Sequence, residues 1–160
     1  MQKKTTNNPI MKRVLPFLLC LAVFTTGTQY LQAQVRPIPA TVTDAFKAKY
    51  PNASKVEWKD KLTSFTASFE MNNAKYDAKF SNKGAWVSTE TKIEKDALPS
   101  AITDGFGKSK YADWSIKSVY KIDLPGDTTQ YRLQAVKSDI QKKNLLFNST
   151  GRLLKDNATL

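Results

Sequence analysis

The sequence predicts an α+β fold, made of a tandem duplication of a helix plus a four-stranded antiparallel meander, with the helices packed on one face of the sheet. The first observation is an internal repeat, because PATVTDAF (39–46) aligns with PSAITDGF (99–106) at an offset of 60 residues. The second is a change of apolar period from helical spacing to alternation after each of these segments. We expect the two repeats to cover about 36–96 and 97–160.

Each repeat is expected to open with a helix. A proline stands at the start of each aligned segment, where its missing amide hydrogen costs nothing in the first turn. Val42 and Phe46 in the first segment, and Ile102 and Phe106 in the second, have the spacing of one helical face. Each helix should therefore bury a single apolar stripe.

The strands are expected to alternate between an inward apolar face and an outward polar face. Two similar turns, FSNKG (80–84) and FNSTG (147–151), each place a glycine where a positive φ would let the next strand begin. The side chains that this alternation and the helical spacing assign to the structural core are Phe46, Trp58, Phe69, Phe80, Phe106 and Phe147.

The first 33 residues have the pattern of a cleaved secretory signal peptide. Four basic residues precede VLPFLLCLAVF (14–24), and these eleven apolar residues are fewer than the roughly 20 needed to span a bilayer. Ala33 supplies the small residue before the expected cleavage site. We expect a single mature domain over 34–160, and an uncleaved membrane anchor is the alternative for the leader.

Absent residue types exclude several classes of chemistry. The single cysteine, Cys20, lies in the expected leader, and the chain has no histidine. A mature chain of this composition has no disulfide, no thiol nucleophile, no imidazole base and none of the Cys or His ligands that the common zinc sites need. The remaining carboxylates are scattered, so a hydrolase built on two of them is the one catalytic alternative. We expect no enzyme, no catalytic residue, no metal and no cofactor.

A binding surface is predicted on the outward side of the sheet. The formal net charge is +11, and removal of the four basic residues of the leader leaves 21 − 14 = +7. Such a surface would attract a protein or an acidic glycan, whereas nucleic acid is not expected because the protein is exported and carboxylates interrupt the patch. The alternative is an ordinary solvated face. The candidate contact residues are Lys79, Lys121, Arg132, Val119 and Leu146.

Several motifs resemble those of a known family. They are IP, AF, YP and VEW within 38–58, then FSNKGAW (80–86) and LPSAITDGF (98–106). In these motifs the chain resembles the PepSY-like periplasmic proteins of Bacteroidota, which are similar in fold to the β-lactamase inhibitor protein. The resemblance implies a periplasmic or secreted protein of a Gram-negative bacterium, without membrane attachment once the leader is removed.

The resemblance also implies a non-enzymatic role. We expect a binding module that inhibits or regulates another periplasmic protein. The alternative is a structural or envelope-stress protein with no tight partner.

Overall fold

The computed structural model describes residues 36–158. The expected signal peptide, 1–33, lies outside the described residues. The elements, in chain order, are α1 (Ala40–Lys49), β1 (Ser54–Lys61), β2 (Ser64–Met71), β3 (Ala74–Ser81), β4 (Trp86–Ile93), α2 (Ser100–Gly107), β5 (Ser115–Leu124), β6 (Thr128–Val136), β7 (Lys142–Asn148) and β8 (Leu153–Ala158).

One continuous sheet dominates the structure, and the predicted fold class is wrong. All eight strands form a single antiparallel sheet in the order β1 to β8, whereas the two helices have only 10 and 8 residues. The expected α+β tandem duplication, with helices packed over the sheet, is thus replaced by an eight-stranded sheet with two short helices. The physical reason is that each helix buries only two side chains in this sheet, Val42 and Phe46 or Ile102 and Phe106, so strand pairing rather than helical cover organises the chain.

The first hydrophobic cluster lies beneath α1. The ring of Phe46 is 5.3 Å from that of Trp58 and 5.2 Å from that of Phe69, in both contacts edge to face, and 6.2 Å from that of Phe80. Edge-to-face pairs at these separations add to the free energy gained from burial. Phe46, Phe69 and Phe80 are buried, and Trp58 is half-buried.

The second hydrophobic cluster lies beneath α2. Phe106 and Phe147 are both buried in it. The other buried members of this cluster are Ile102, Tyr111, Val119, Tyr131, Leu133, Ala135 and Leu145. The two clusters occupy the same face of the sheet but share no buried residue.

Two glycine turns pack against the first turns of the helices. Gly84 between β3 and β4 has φ +84°, and Gly151 between β7 and β8 has φ +83°. A Cβ at Gly151 would lie 2.0 Å from the carbonyl oxygen of Ala101, and one at Gly84 would lie 2.5 Å from that of Thr41. Both turns therefore require glycine for backbone conformation and for space.

An ionic and hydrogen-bonded contact holds the edge strand β8. The hydroxyl of Tyr111 donates to Asp156, and the ammonium of Lys110 lies 2.8 Å from the same carboxylate. Lys110, followed by the Tyr111 hydrogen bond, lowers the pKa of Asp156 from 3.8 to about 2. Burial, followed by the hydrogen bond to Asp156, raises the pKa of Tyr111.

Loss of either central aromatic ring should destabilise the protein strongly. We expect Phe46→Ala and Phe106→Ala each to lower the free energy of unfolding by about 3–5 kcal/mol, because each leaves a cavity in a cluster. Urea denaturation measures the change. Leu62→Ala is the control, since that side chain is 93% exposed and its loss should change stability by less than about 0.5 kcal/mol. Equal effects at Phe46 and Leu62 would contradict the packing described above.

Alanine at Gly151 should cost far more than alanine at Gly126. Both glycines have positive φ, but a Cβ at Gly126 meets nothing within 4 Å, whereas one at Gly151 collides with backbone. We expect a loss of about 1 kcal/mol for Gly126→Ala from backbone strain alone and about 3 kcal/mol or more for Gly151→Ala. The difference between the urea midpoints of the two variants measures the destabilisation that comes from the steric clash. Equal losses of stability would show that backbone strain alone causes both.

Acid should weaken the attachment of β8. A carboxyl whose pKa is lowered on folding stabilises the native state above its unfolded pKa, so the contribution of Asp156 is complete above about pH 4 and is lost as pH falls towards 2. Asp156→Asn should remove this part of the pH dependence. Urea midpoints measured from pH 6 to pH 2 test this, with Asp139→Asn in the exposed β6–β7 loop as the control. Parallel profiles for wild type and Asp156→Asn would refute the assignment.

Candidate functional site

The sheet face opposite the two hydrophobic clusters is the candidate functional site, and we call it the open face. Tyr131 and Leu133 on β6 are buried in the second cluster, so Arg132 between them lies on the open face. Arg132 is opposite Tyr120 on β5 and Leu146 on β7. The centre of the open face therefore combines one cation with an aromatic and an aliphatic side chain.

Arg132 is held in place by three neighbours. Its guanidinium forms a salt bridge with Glu90 on β4 and lies 4.2 Å from the ring centroid of Tyr120. A third, longer contact of 3.5 Å joins its Nη1 to the side-chain oxygen of Asn144 on β7. The Arg132 and Glu90 side chains are 29% and 27% exposed, so this pair is shielded from solvent more than an ordinary surface pair. The cluster links four adjacent strands and holds the arginine in one position.

A groove of about 340 Å³ adjoins this cluster and extends across β1 to β5. Lys55 lies 2.7 Å from Glu70 and lowers the pKa of that carboxyl by hydrogen bonding. The hydroxyl of Ser68 donates to Asp77 at 2.5 Å. Charged and aromatic residues that line the groove include Glu57, Glu70, Lys75, Asp77, Lys92 and Tyr120.

The predicted contact residues do not form one surface. Arg132 and Leu146 are neighbours on the open face, and Lys79 is exposed on it, opposite Ser88. Lys79 is on β3, three strands from Arg132 on β6. On β4 the residue opposite Lys79 is Ser88, whereas the residue level with Arg132, through Tyr120 on β5, is Lys92. The two side chains are therefore also offset by four residues along the strands. On a flat sheet this separation is about 20 Å.

Val119 and Lys121 lie on the opposite face, so their predicted outward positions are wrong. Val119 is fully buried in the second cluster, and Lys121 is opposite Tyr131 and 3.0 Å from Asp123. The cause is a β-bulge: Ile116 pairs with Ala135 and Ser118 with Gln134, so one extra residue, Lys117, interrupts β5. An extra residue reverses the facing of every later position on its strand, and the sequence alternation does not show it.

The open face is not uniformly basic, because carboxylates lie among its lysines. Asp77 and Glu90 are directly opposite on β3 and β4, both on the open face. Glu90 and Tyr120 were not among the predicted site residues, although Glu90 could have been found from its alternation with Ser88 and Lys92. Tyr120 could not have been found in this way, because the bulge at Lys117 precedes it and reverses the face on which it lies.

The described residues, 36–158, hold neither a candidate metal site nor a membrane-spanning helix. Within this range no cluster of three or more acidic, cysteine or histidine side chains is arranged to hold a metal ion. Neither helix in the same range combines the length and the apolar character that a membrane span requires.

Comparison with known families identifies the chain. The model of a family described as "Putative beta-lactamase-inhibitor-like, PepSY-like" matches residues 63–155, more than half of the sequence. The chain belongs to this PepSY-like family. A comparison with curated proteins found no match.

Solved structures from Bacteroides have the same fold. A BLIP-like protein from Bacteroides fragilis is 25% identical with a TM-score of 0.69, over 79% of this chain and 90% of that chain. A DUF2874 family protein from Bacteroides ovatus is 27% identical with a TM-score of 0.70, over 76% and 88%. A protein from Bacteroides eggerthii described as "putative periplasmic" is 25% identical with a TM-score of 0.69, over 76% and 89%.

Proposed function

We propose that the protein is an exported, non-enzymatic binding module that holds another periplasmic protein on the open face of its sheet. The observation that carries this proposal is the cluster of Arg132, Tyr120 and Leu146 at the centre of that face, fixed by Glu90. The periplasmic description of the Bacteroides eggerthii neighbour supports the location. Inhibition or regulation of the bound protein is the role suggested by the BLIP-like description of the Bacteroides fragilis neighbour.

The chemistry of the central cluster suits a protein interface. Arginine and tyrosine are enriched among the residues that contribute most to binding energy, particularly where they are central and already ordered. Arg132 loses little conformational entropy on binding because Glu90 and Tyr120 already position it. Leu146 and Ile122, both half-buried, add apolar area on neighbouring positions of the same face.

A protein partner fits this face better than an acidic glycan. The charge of Arg132 is balanced by Glu90, and that of Lys55 by Glu70. Asp77 adds a further carboxylate in the groove. An acidic polymer would therefore meet mixed charge rather than a uniformly basic surface, whereas a folded partner could place cations and anions opposite their complements.

The alternative is a structural or envelope-stress protein with no tight partner. It is favoured by the same ion pairs, Arg132 with Glu90 and Lys55 with Glu70, because a face whose charges are satisfied internally is stable in water without a ligand. The two functions differ in whether a specific partner recognises the open face.

Capture followed by kinetics separates the two functions. The purified protein is crosslinked in periplasmic extract, each captured protein is identified by mass spectrometry, and its binding is measured with recombinant material. We expect Arg132→Ala to weaken binding of the true partner by about tenfold or more, as for a central interface arginine. Lys121→Gln is the matched control, since that half-buried lysine lies on the opposite face.

The results of this experiment distinguish the two functions. A partner whose affinity is unchanged by Arg132→Ala would exclude the centre of the open face from the interaction. Recovery of no partner that binds as a purified protein would support the structural alternative. Circular dichroism of each variant shows that the fold is retained.

A further inference from the structure

Edge strand β1 carries a second surface, distinct from the open face. Within residues 36–158, β1 pairs with β2 alone, so one of its sides presents backbone N–H and C=O groups without a strand partner. From Glu57 to Lys61 its register with β2 is regular. A bulge precedes this segment, between Ser54 and Glu57, where Lys55 has φ +50°. The regular part of the edge is therefore about five residues long.

A groove lies directly beside this edge, between β1 and α1, and most of the residues that line it are apolar. It has a volume of about 370 Å³. Phe46, which is buried, lines it from the helix, and Val56, which is 38% exposed, lines it from β1. The other apolar lining residues are Tyr50, Pro51, Ala53 and Trp58. The groove is large enough for one large side chain and opens on the helix side of the sheet, away from Arg132.

Strand β1 and the rim of the groove carry more lysine than carboxylate. Lys47 on α1 lines it, and Lys59 and Lys61 are exposed on β1. The nearby carboxylate of Asp60 is already paired with Arg36 at 2.6 Å. Glu57 is the remaining acidic side chain on β1, and Lys55 is paired with Glu70. This leaves Lys59 and Lys61 beside Glu57 on one face, and Lys47 on the groove side.

We propose that β1 and the groove beside it bind an extended peptide segment of another protein, one that carries a large apolar side chain flanked by carboxylates. The segment adds as a strand to the regular part of β1, and its backbone supplies the missing hydrogen bonds. Because side chains alternate along a strand, residues that face the helix side enter the groove beside Val56 and Trp58. Those on the other side lie near Lys59 and Lys61, where carboxylates complement the charge.

The charge of the edge favours an acidic peptide as its occupant. In the regular segment of β1, Lys59 and Lys61 outnumber the one carboxylate on the same face, Glu57, so carboxylates on an added strand gain opposite-charge pairs. A second copy of β1 would bring the same excess of lysine to this edge. The bulge at Lys55 shortens the pairing segment, which favours a short linear motif over a long strand.

Selection from random peptides tests the proposal while the partner protein is still unidentified. Phage-displayed random heptapeptides are selected on the purified protein, and the most enriched sequence is synthesised with a fluorescent label. We expect enrichment of sequences in which acidic residues alternate with a large apolar residue. Enrichment of basic sequences, or no enrichment over an empty surface, would overturn the proposal.

Matched variants then locate the bound peptide. Val56→Ser should weaken it about tenfold by fluorescence polarisation, because apolar lining is lost, whereas Val87→Ser on β4, at a site 36% exposed, should not. Lys47→Glu with Lys59→Glu should weaken it by a similar factor, and Lys83→Glu with Lys108→Glu, which changes net charge equally at exposed sites elsewhere, should not. Equal effects within either pair would contradict binding at this edge.

N-methylation of the peptide tests strand addition itself. A strand pairs through every second amide, so methylation at one parity should abolish binding and at the other should leave it within about threefold. Sensitivity at neither parity would show that the groove takes the side chain without strand pairing, and would overturn the proposal. Sedimentation velocity provides the last readout: a dimer that Val56→Ser dissociates would assign the edge to a second copy.

Discussion

The pairing of β4 with β5 is the interaction on which the rest of the structure depends. Thr89 is opposite Asp123 and Ile93 is opposite Val119, and this ladder joins two sets of four strands whose hydrophobic clusters share no buried residue. Without it the chain would have two small sheets, each with an additional exposed edge. The open face exists because of the same ladder, since Glu90 on β4 and Arg132 on β6 reach each other across β5.

A polar network ties the end of α1 to this central ladder. The hydroxyls of Tyr50 and Thr89 are hydrogen-bonded, and the indole of Trp86 donates to Thr89 at 2.9 Å. Burial raises the pKa of the Tyr50 hydroxyl, which favours its neutral form. The ammonium of Lys49 lies 3.6 Å from the Trp86 ring centroid, in a cation–π contact. These side-chain contacts orient α1, a helix of only 10 residues, on the sheet.

Much of the local structure could be predicted from residue patterns, while the overall arrangement could not. The alternation of apolar residues places Phe69 and Phe80 inward, and the glycine turns lie where Gly84 and Gly151 were expected. The fold class was wrong because no pattern within a strand reveals that β4 pairs with β5. The site was only partly predictable because alternation shows Arg132 and Leu146 facing outward but does not register the bulge that turns Val119 and Lys121 inward.

The strand order also has a consequence for how the chain folds. Because spatial order follows sequence order throughout β1 to β8, every strand pair joins segments that are consecutive in the chain. Most of the connections between paired strands are short hairpin loops. The long connection runs from Ile93 to Ser115 and includes α2. Loop-closure entropy rises slowly with length, so even this step costs little more than the hairpins do. Such a topology has a low contact order for an all-antiparallel sheet, which favours rapid folding and limits the time during which unpaired strands are exposed.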